Sequence, residues 1–271
     1  MLSKDDILRR IEMWDVTMSR VRSFLDSRGF VEVRTPLLVD HPGMEPNLDP
    51  FAVDVHVLGG GKKRMGLITS PEYSMKKLVG AGIEKVYTMT QTFRNFESGS
   101  LNIPEFMMLE WYAPGDYEEL MAETEELLQY VLEDKAPWKR IQHQNAKMDA
   151  FGDPHVEEEK FFVTQYPTAE ASLARHSKNG AYAERFEAFA RGMEMCNGFC
   201  ELTDAVEQRA RFKNEQEERR AAGKEVFPID EELLEAISKI KGPVYGNALG
   251  VDRLIMLKYG IHNIKDIQLF P

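Results

Sequence analysis

The sequence predicts an α+β fold in which helices flank an antiparallel sheet. Strand-like segments follow one another without the regular alternation of strand and helix that builds a parallel sheet. With 271 residues, of which 43% are hydrophobic, the chain can bury one large core. Neither GxGxxG nor GxxxxGKS/T occurs, so neither common phosphate-binding motif is present. We therefore expect a single domain over residues 1–271.

A helix opens the chain. Ser3 is a typical N-cap, Asp5 and Asp6 lie in the first turn, and apolar residues recur at helical spacing up to Gly29, which favours helix termination. A short strand and a proline-rich loop follow, and Pro71 suits the first turn of a second helix. The segments predicted here are strand 30–33, loop 39–50, strand 65–69 and helix 71–79.

Strands dominate the rest of the chain. Two apolar strands joined by an eight-residue polar loop precede a helix with one apolar face. The segment 134–160 is mixed and polar, and it predicts only loop and short helix. The other predicted segments are strands 85–96 and 105–113, helix 117–132, strand 161–166, a hairpin within 185–204, charged helix 204–224, helix 230–240, strand 245–249 and helix 251–259.

Composition and charge disfavour several functions. The formal net charge of −11 disfavours stable nucleic-acid binding, which depends on Lys and Arg contacts to phosphates. The basic residues of 204–224 fit either a local basic patch or a solvated helix face, and charge patterning favours the helix face. No apolar run approaches the ~20 residues of a membrane span, and no secretory signal is present. We expect a cytoplasmic protein in which Cys196 and Cys200 are packing residues.

The segment 185–204 is the most informative part of the chain. It places carboxylates in two predicted strands, joined by a turn at 191–192, although acidic residues are poor strand formers and costly to bury unpaired. Those carboxylates are Glu187, Glu194, Glu201 and Asp204. Two kinds of cation fit them, a divalent metal and a substrate ammonium, whereas Asp204 suits a helix N-cap. Strict alternation separates Glu194 from Asn197, so a shared site requires a β-bulge near Cys196.

A second candidate site lies on the strand 105–112. Alternation places Glu110 and Tyr112 on one face with Phe106, and Arg94 lies on the preceding strand. This set suits a phosphate, a flat ring and an ammonium group. The same spacing also fits a surface salt bridge beside ordinary core aromatics.

Three motifs resemble those of the class II aminoacyl-tRNA synthetases. They are GFVEVRTP after the first helix (motif 1), FR…E…F across strands 85–96 and 105–113 (motif 2) and GNALGVDRL at 246–254 (motif 3). Three further segments resemble the lysyl subgroup: TSPEYSMKKL, PEFMMLEWY and EMCNGFCELTDAVEQ. The resemblance covers nearly the whole chain, from about residue 3 to 271, and it implies a motif 1 homodimer.

The resemblance assigns roles at the nucleotide end of the site. The catalytic residues would be Arg94, which holds the substrate carboxylate and the α-phosphate of ATP, and Arg253, which covers adenine opposite Phe106. Mg²⁺ would bind to Glu187 and Glu194. The residues expected to bind ATP are Arg94, Glu97, Asn102, Phe106, Glu187 and Arg253.

It also implies a pocket for a lysine-like diamino acid. Glu72 would face the amino group near the reacting carboxylate. The distal ammonium would be bound by Glu110, Tyr112, Asn197, Phe199 and Glu201. Ala248 stands where tRNA-charging relatives usually have Gly, and its methyl group suits a β-amino acid.

The implied reaction is the adenylation of (R)-β-lysine or lysine and its transfer to a lysine ε-amine. The chain begins at the motif 1 helix, so we expect no anticodon-binding OB-fold domain, and it resembles the elongation factor P–lysine ligases. Three departures from the family pattern affect the contacts expected with ATP and with the substrate carboxylate: Asn102 replaces the usual His, Ile103 the usual Asn and Phe96 a frequent Glu. Two alternatives stay open: another acceptor, such as tRNA or a small amine, and a non-catalytic paralogue that binds lysine or adenylate.

Overall fold

The computed structural model describes residues 2–149, 152 and 154–270. Its helices are α1 (Lys4–Ser27), α2 (Glu72–Gly80), α3 (Tyr117–Leu132), α4 (Ala205–Ala221), α5 (Glu231–Ser238) and α6 (Val251–Tyr259). Its strands are β1 (Val31–Glu32), β2 (Leu38–Val39), β3 (Ala52–His56), β4 (Lys62–Leu67), β5 (Val86–Phe93), β6 (Glu105–Pro114), β7 (Lys139–Gln142), β8 (Lys147–Met148), β9 (Pro154–His155), β10 (Lys160–Tyr166), β11 (Ala183–Ala190), β12 (Met193–Cys200) and β13 (Val244–Gly250).

An eight-stranded sheet in the order β1-β5-β6-β13-β12-β11-β10-β7 organises the molecule. Its six inner strands are antiparallel, as the sequence predicts. The two edge strands are parallel to their neighbours, since β1 pairs with β5 and β7 pairs with β10 in that sense. The sheet is therefore mixed rather than purely antiparallel, and the α+β class is confirmed.

Several short strands differ from the sequence prediction. The strands β3 and β4 form a hairpin within a small sheet of order β2-β4-β3. Of these three strands only β4 was predicted, as the strand 65–69. The segment 134–160 contains the predicted short helix, one 3-10 turn at His143–Asn145, but also the strands β7, β8 and β9, which the sequence did not predict. Residues 150, 151 and 153 lie outside the described part. These strands are short and largely exposed, so their sequences lack the alternation that identifies a half-buried strand.

The main core lies on one face of the large sheet. Alternate residues of β6 point to opposite faces, and Leu109 and Trp111 pack among buried residues of α1, α3 and α6. Ser3 accepts a hydrogen bond from the Asp6 amide at 3.1 Å, which confirms the predicted N-cap of α1. This packing leaves the other face of the sheet, with Glu110 and Tyr112, for the cavity described below.

The acidic hairpin has the predicted turn and the predicted irregularity. Arg191 and Gly192 both have positive φ, 49° and 73°, as a two-residue type I′ turn requires. Phe189 of β11 pairs with Glu194 of β12, but the adjacent Ala188 pairs with Cys196, so one residue of β12 is skipped. Met195 is therefore the extra residue of a β-bulge, directly beside the position that the sequence indicated.

Several basic residues of the charged helix α4 have acidic partners within the protein. Asp204 caps it by accepting hydrogen bonds from the amides of Val206 and Glu207, as expected. Arg209 pairs with Glu231, and Arg211 pairs with Glu207. Among the described helices, none is both long and apolar enough to cross a membrane.

Candidate active site

A cavity of about 430 Å³, called the central cavity below, lies on the sheet face opposite the main core. Thirteen of the fourteen predicted site residues line it. They are Glu72, Arg94, Glu97, Asn102, Phe106, Glu110, Tyr112, Glu187, Glu194, Asn197, Phe199, Ala248 and Arg253. The remaining one, Glu201, is buried beside the cavity and contacts Lys76.

The floor of the cavity is a row of paired residues across four strands. Glu110 on β6 lies opposite Ala248 on β13, and Ala248 lies opposite Asn197 on β12. Asn197 in turn pairs with Glu187 on β11. Because paired residues share a sheet face, the register itself brings the predicted metal ligand and the predicted amine ligand to one surface.

Two guanidinium groups lie at one end of the cavity. Arg94 is held by its Nε, which donates to the Thr69 carbonyl at 3.3 Å, and its guanidinium carbon lies 5.3 Å from the centre of the Phe106 ring. Arg253 donates to Asn102 Oδ1 and to the Glu194 carbonyl, both at 2.6 Å. Burial lowers the pKa of Arg94, but a guanidinium stays charged in proteins. This end suits phosphates.

Two carboxylates stand next to the guanidinium groups. Glu187 accepts a hydrogen bond from the Tyr166 hydroxyl at 2.6 Å and pairs with Arg185. Glu194 Oε2 lies 3.6 Å from Arg253 Nη1. Burial, together with the charge of Glu194, raises the pKa of Glu187 to about 7. Mutual repulsion of this kind is relieved by a cation.

These carboxylates fit a metal that substrate phosphates help to hold. No group of three His, Cys, Asp or Glu side chains converges within residues 2–149, 152 and 154–270. Mg²⁺ is usually bound through one or two carboxylates plus substrate phosphates, so Glu187 and Glu194 are a sufficient protein contribution. The donor set therefore agrees with the predicted role.

The opposite end of the cavity is rich in buried carboxylates. The Tyr112 hydroxyl lies 3.5 Å from Glu110 Oε2. Burial, and then repulsion from the neighbouring carboxylates, raises the pKa of Glu110 well above its ordinary value. Burial also raises the pKa of Glu72, and it raises that of Glu201 to about 8. Such a pocket favours ligands that bring positive charge.

Gly246 is required for this carboxylate pocket. A Cβ at this position would lie 2.4 Å from both Glu201 Oε1 and Tyr112 Cε1. The glycine of GNALGVDRL therefore allows two side chains to approach the backbone of β13.

Sequence reasoning missed two cations that hold the predicted residues in place. Lys76 Nζ lies 2.5 Å from Glu72 Oε1 and 2.5 Å from Glu201 Oε2. Arg185 donates through Nε to Asn197 Oδ1 at 3.1 Å and also pairs with Glu187. For Lys76, the spacing of four residues from Glu72 on a predicted helix was the one available signal.

A loop that sequence reasoning left without a role completes the cavity wall. Residues 45, 47 and 48 line the cavity, and Arg219 of α4 holds their backbone. Arg219 Nη1 donates to the carbonyls of Glu45 at 2.9 Å and Leu48 at 2.6 Å, and its side chain is 1% exposed. The loop is therefore anchored to the protein rather than free.

The cavity is thus suited to a polyphosphate at one end and to a molecule with two ammonium groups at the other. Its guanidinium end suits polyphosphate and a flat ring, and its carboxylate end suits two ammonium groups. The row from Glu187 to Glu110 joins the two ends. This combination is suited to bringing an amino-acid carboxylate against a nucleotide phosphate.

Known proteins with the same sequence pattern agree with this chemistry. Residues 1–271 match the family of tRNA synthetases class II (D, K and N). The chain is 38% identical to the elongation factor P–(R)-β-lysine ligase of Edwardsiella ictaluri, covering 93% of this chain and 92% of that protein. It is 36% identical to the protein of the same name from Proteus mirabilis, covering 94% of this chain and 92% of that protein. It is also 36% identical to the protein of that name from Salmonella arizonae, covering 93% of this chain and 92% of that protein.

Proposed function

Because the chain belongs to the tRNA synthetases class II (D, K and N), we propose that it is an ATP-dependent ligase that adenylates a lysine-like diamino acid and transfers it to elongation factor P. One observation carries the proposal. The central cavity joins Arg94 and Arg253 at one end to Glu72 and Glu110 at the other. The acceptor is the protein named for the relatives of Edwardsiella, Proteus and Salmonella.

The first half-reaction needs positioning and charge neutralisation. A carboxylate oxygen of the amino acid forms a bond to the α-phosphorus of ATP, and the bond to the pyrophosphate oxygen breaks. Arg94 would hold the carboxylate against the α-phosphate, and Arg253 would stabilise negative charge farther along the polyphosphate. Glu187 and Glu194 would hold Mg²⁺, which would neutralise phosphate charge when bound.

The second half-reaction transfers the aminoacyl group. A neutral ε-amine of the acceptor attacks the carbonyl carbon of the adenylate, AMP leaves, and the amine loses a proton. The cavity wall formed by the loop at 45–48 would limit access of water to the adenylate. Attack by water instead would release the free amino acid.

The amine pocket sets the substrate class. Glu72 and Glu110 would each receive one ammonium group, and each charge-assisted hydrogen bond contributes roughly 1.5–3 kcal/mol. A neutral side chain would leave Glu110 buried without its partner, so we expect strong rejection of leucine and norleucine. The Ala248 methyl group beside Glu110 supports (R)-β-lysine as the preferred diamino acid.

Further parts of the proposal concern assembly and location. We propose a homodimer through motif 1, since α1 exposes Leu8 and Ile11 and the edge strand β1 exposes Val31. We also propose a cytoplasmic location. Both cysteines, Cys196 and Cys200, are free and buried, which suits a reducing compartment.

Pyrophosphate exchange tests the first half-reaction. Exchange should occur with (R)-β-lysine and lysine and fail with norleucine, and Glu110→Gln should abolish the difference between lysine and norleucine. The purified enzyme is then given elongation factor P or tRNA as acceptor. Labelling of tRNA but not of elongation factor P would reject the acceptor, and no exchange with any diamino acid would favour the non-catalytic alternative.

A further inference from the structure

We propose that Lys76 is a positioning residue that sets the spacing and the net charge of the amine pocket, so that the pocket matches a substrate with two ammonium groups. This inference rests on the proposed function and extends it to a residue outside the predicted site. Lys76 does not line the central cavity. It acts through the carboxylates that it holds.

The geometry around Lys76 is that of a buried bridge. Its ammonium lies between Glu72, which lines the cavity, and Glu201, at 2.5 Å from each. The exposed fractions of the three side chains are 4% for Lys76, 10% for Glu72 and 1% for Glu201. Breaking such a buried pair leaves a charge without a partner, so all three groups depend on one another.

The bridge connects two elements that are distant in sequence. Glu72 and Lys76 lie one turn apart on α2, whereas Glu201 directly follows β12. The backbone of Glu201 is fixed by its amide, which donates to the Val244 carbonyl at 2.8 Å. Lys76 Nζ also lies 5.4 Å from the centre of the Phe199 ring. Lys76 therefore fixes α2, and Glu72 with it, against the strand that carries the rest of the pocket.

Lys76 also determines the number of charges in the pocket. When Glu72, Glu110 and Glu201 are all ionised, they and the ammonium of Lys76 sum to two negative charges. The two ammonium groups of a diamino acid cancel that sum. Without Lys76, the sum would be three, and the pocket would have to take up a proton or another cation.

The electrostatics of the surrounding groups support this count. Burial raises the pKa of Glu201 to about 8, while Lys76 acts in the opposite direction by stabilising its anion. Glu72 has the same pattern, with Glu45 from the loop as a further anion that raises its pKa. From β6, the groups that face the cluster are Glu110 and Tyr112. From α4, the partly buried carboxylate of Glu215 interacts with Glu72 and Glu45, and burial raises its pKa to about 8. Removing Lys76 should therefore raise the pKa values of the carboxylates.

The test compares Lys76→Met with Lys77→Met in pyrophosphate exchange. Lys77 is the adjacent lysine and pairs with Asp230 and Glu232 on α5, outside the cavity. For Lys76→Met, kcat/KM for lysine should fall about 100-fold, mainly through KM, while KM for ATP stays unchanged. In the pH profile of kcat/KM for lysine, the acidic limb of this variant should move to higher pH by about one unit, because the pocket carboxylates then ionise at higher pH. Lys77→Met should change neither quantity.

A double variant keeps the test decisive if Lys76→Met folds poorly. Lys76→Met combined with Glu201→Gln removes one charge of each sign, so the double variant should fold and its acidic limb should return toward that of the wild type. If Lys76→Met left both the KM for lysine and the acidic limb of the pH profile unchanged, the proposed role of Lys76 would be wrong. The role would also be wrong if the double variant had the same acidic limb as Lys76→Met. A wild-type enzyme without exchange on any diamino acid would instead refute the proposed function.

Discussion

Ala248 on β13 lies directly opposite Glu110 on β6, so a methyl group borders the carboxylate that would receive an ammonium. Ala248→Gly would enlarge the pocket at this point. We expect the ratio of kcat/KM for lysine over (R)-β-lysine to rise about 10-fold, the size of a one-carbon effect in a pocket. Pyrophosphate exchange with both substrates measures the ratio. Ala248→Val should lower kcat/KM for both substrates, and an unchanged ratio in Ala248→Gly would contradict the assignment.

Glu187 should make the free protein less stable as pH rises. Its pKa of about 7 lies above the ordinary value of 4.5, so the unfolded chain releases this proton first, and stability falls between about pH 4.5 and pH 7. Glu187→Gln removes this loss. Relative to the wild type, the variant should gain about 2 kcal/mol between pH 5 and pH 8, as measured by urea unfolding. Parallel stability curves for the two proteins would show that Glu187 titrates normally.

Arg219 should control the cavity wall from outside the cavity. Arg219→Met leaves the carbonyls of Glu45 and Leu48 without their buried donor, which should cost about 3 kcal/mol of stability. With the loop released, KM for the amino acid should rise while kcat changes less. Chemical denaturation and exchange kinetics check the two effects. The matched control is Arg220→Met, since Arg220 is the exposed neighbour on α4.

Asn102 should orient Arg253 toward the nucleotide. Its Oδ1 accepts a charge-assisted hydrogen bond of 2.6 Å, so Asn102→Ala should raise KM for ATP by about 10-fold or more. KM for lysine should stay within a factor of two of the wild-type value. Equal effects on both substrates would show that the variant disturbs the whole cavity instead. Asn102→Asp keeps the acceptor and should retain most ATP affinity.

Capping residues, glycines and hydrophobic periodicity predicted the helices and turns that depend on nearby residues in the sequence. The helix α3 has the predicted bounds, Tyr117–Leu132, because an N-cap and one apolar face define it within its own sequence. The turn at 191–192 and the bulge followed from the glycine and from the alternation of the strand. The single-domain organisation over 1–271 stays a prediction.

Distant partners explain what the sequence did not predict. Lys76 and Arg219 look like ordinary helix cations, and their roles appear only when Glu201 and the loop at 45–48 meet them across the fold. The parallel edge strand β7 depends equally on β10, because its own four residues are mostly exposed. Side chains that line the cavity were easier to predict than the side chains that support them.

The bulge at Met195 gives the acidic ribbon one residue more than its pairing needs. Deleting Met195 would leave Glu194 and Cys196 opposite the same residues of β11, and Asn197 and Phe199 would still face the cavity. What the extra residue contributes is curvature, since a bulge bends its strand and increases the local twist. Glu194 and Asn197 lie on either side of Met195, so the bulge sets the local bend of the strand between the predicted metal ligand and the predicted amine ligand. A change of length at this position would alter that bend without replacing either side chain.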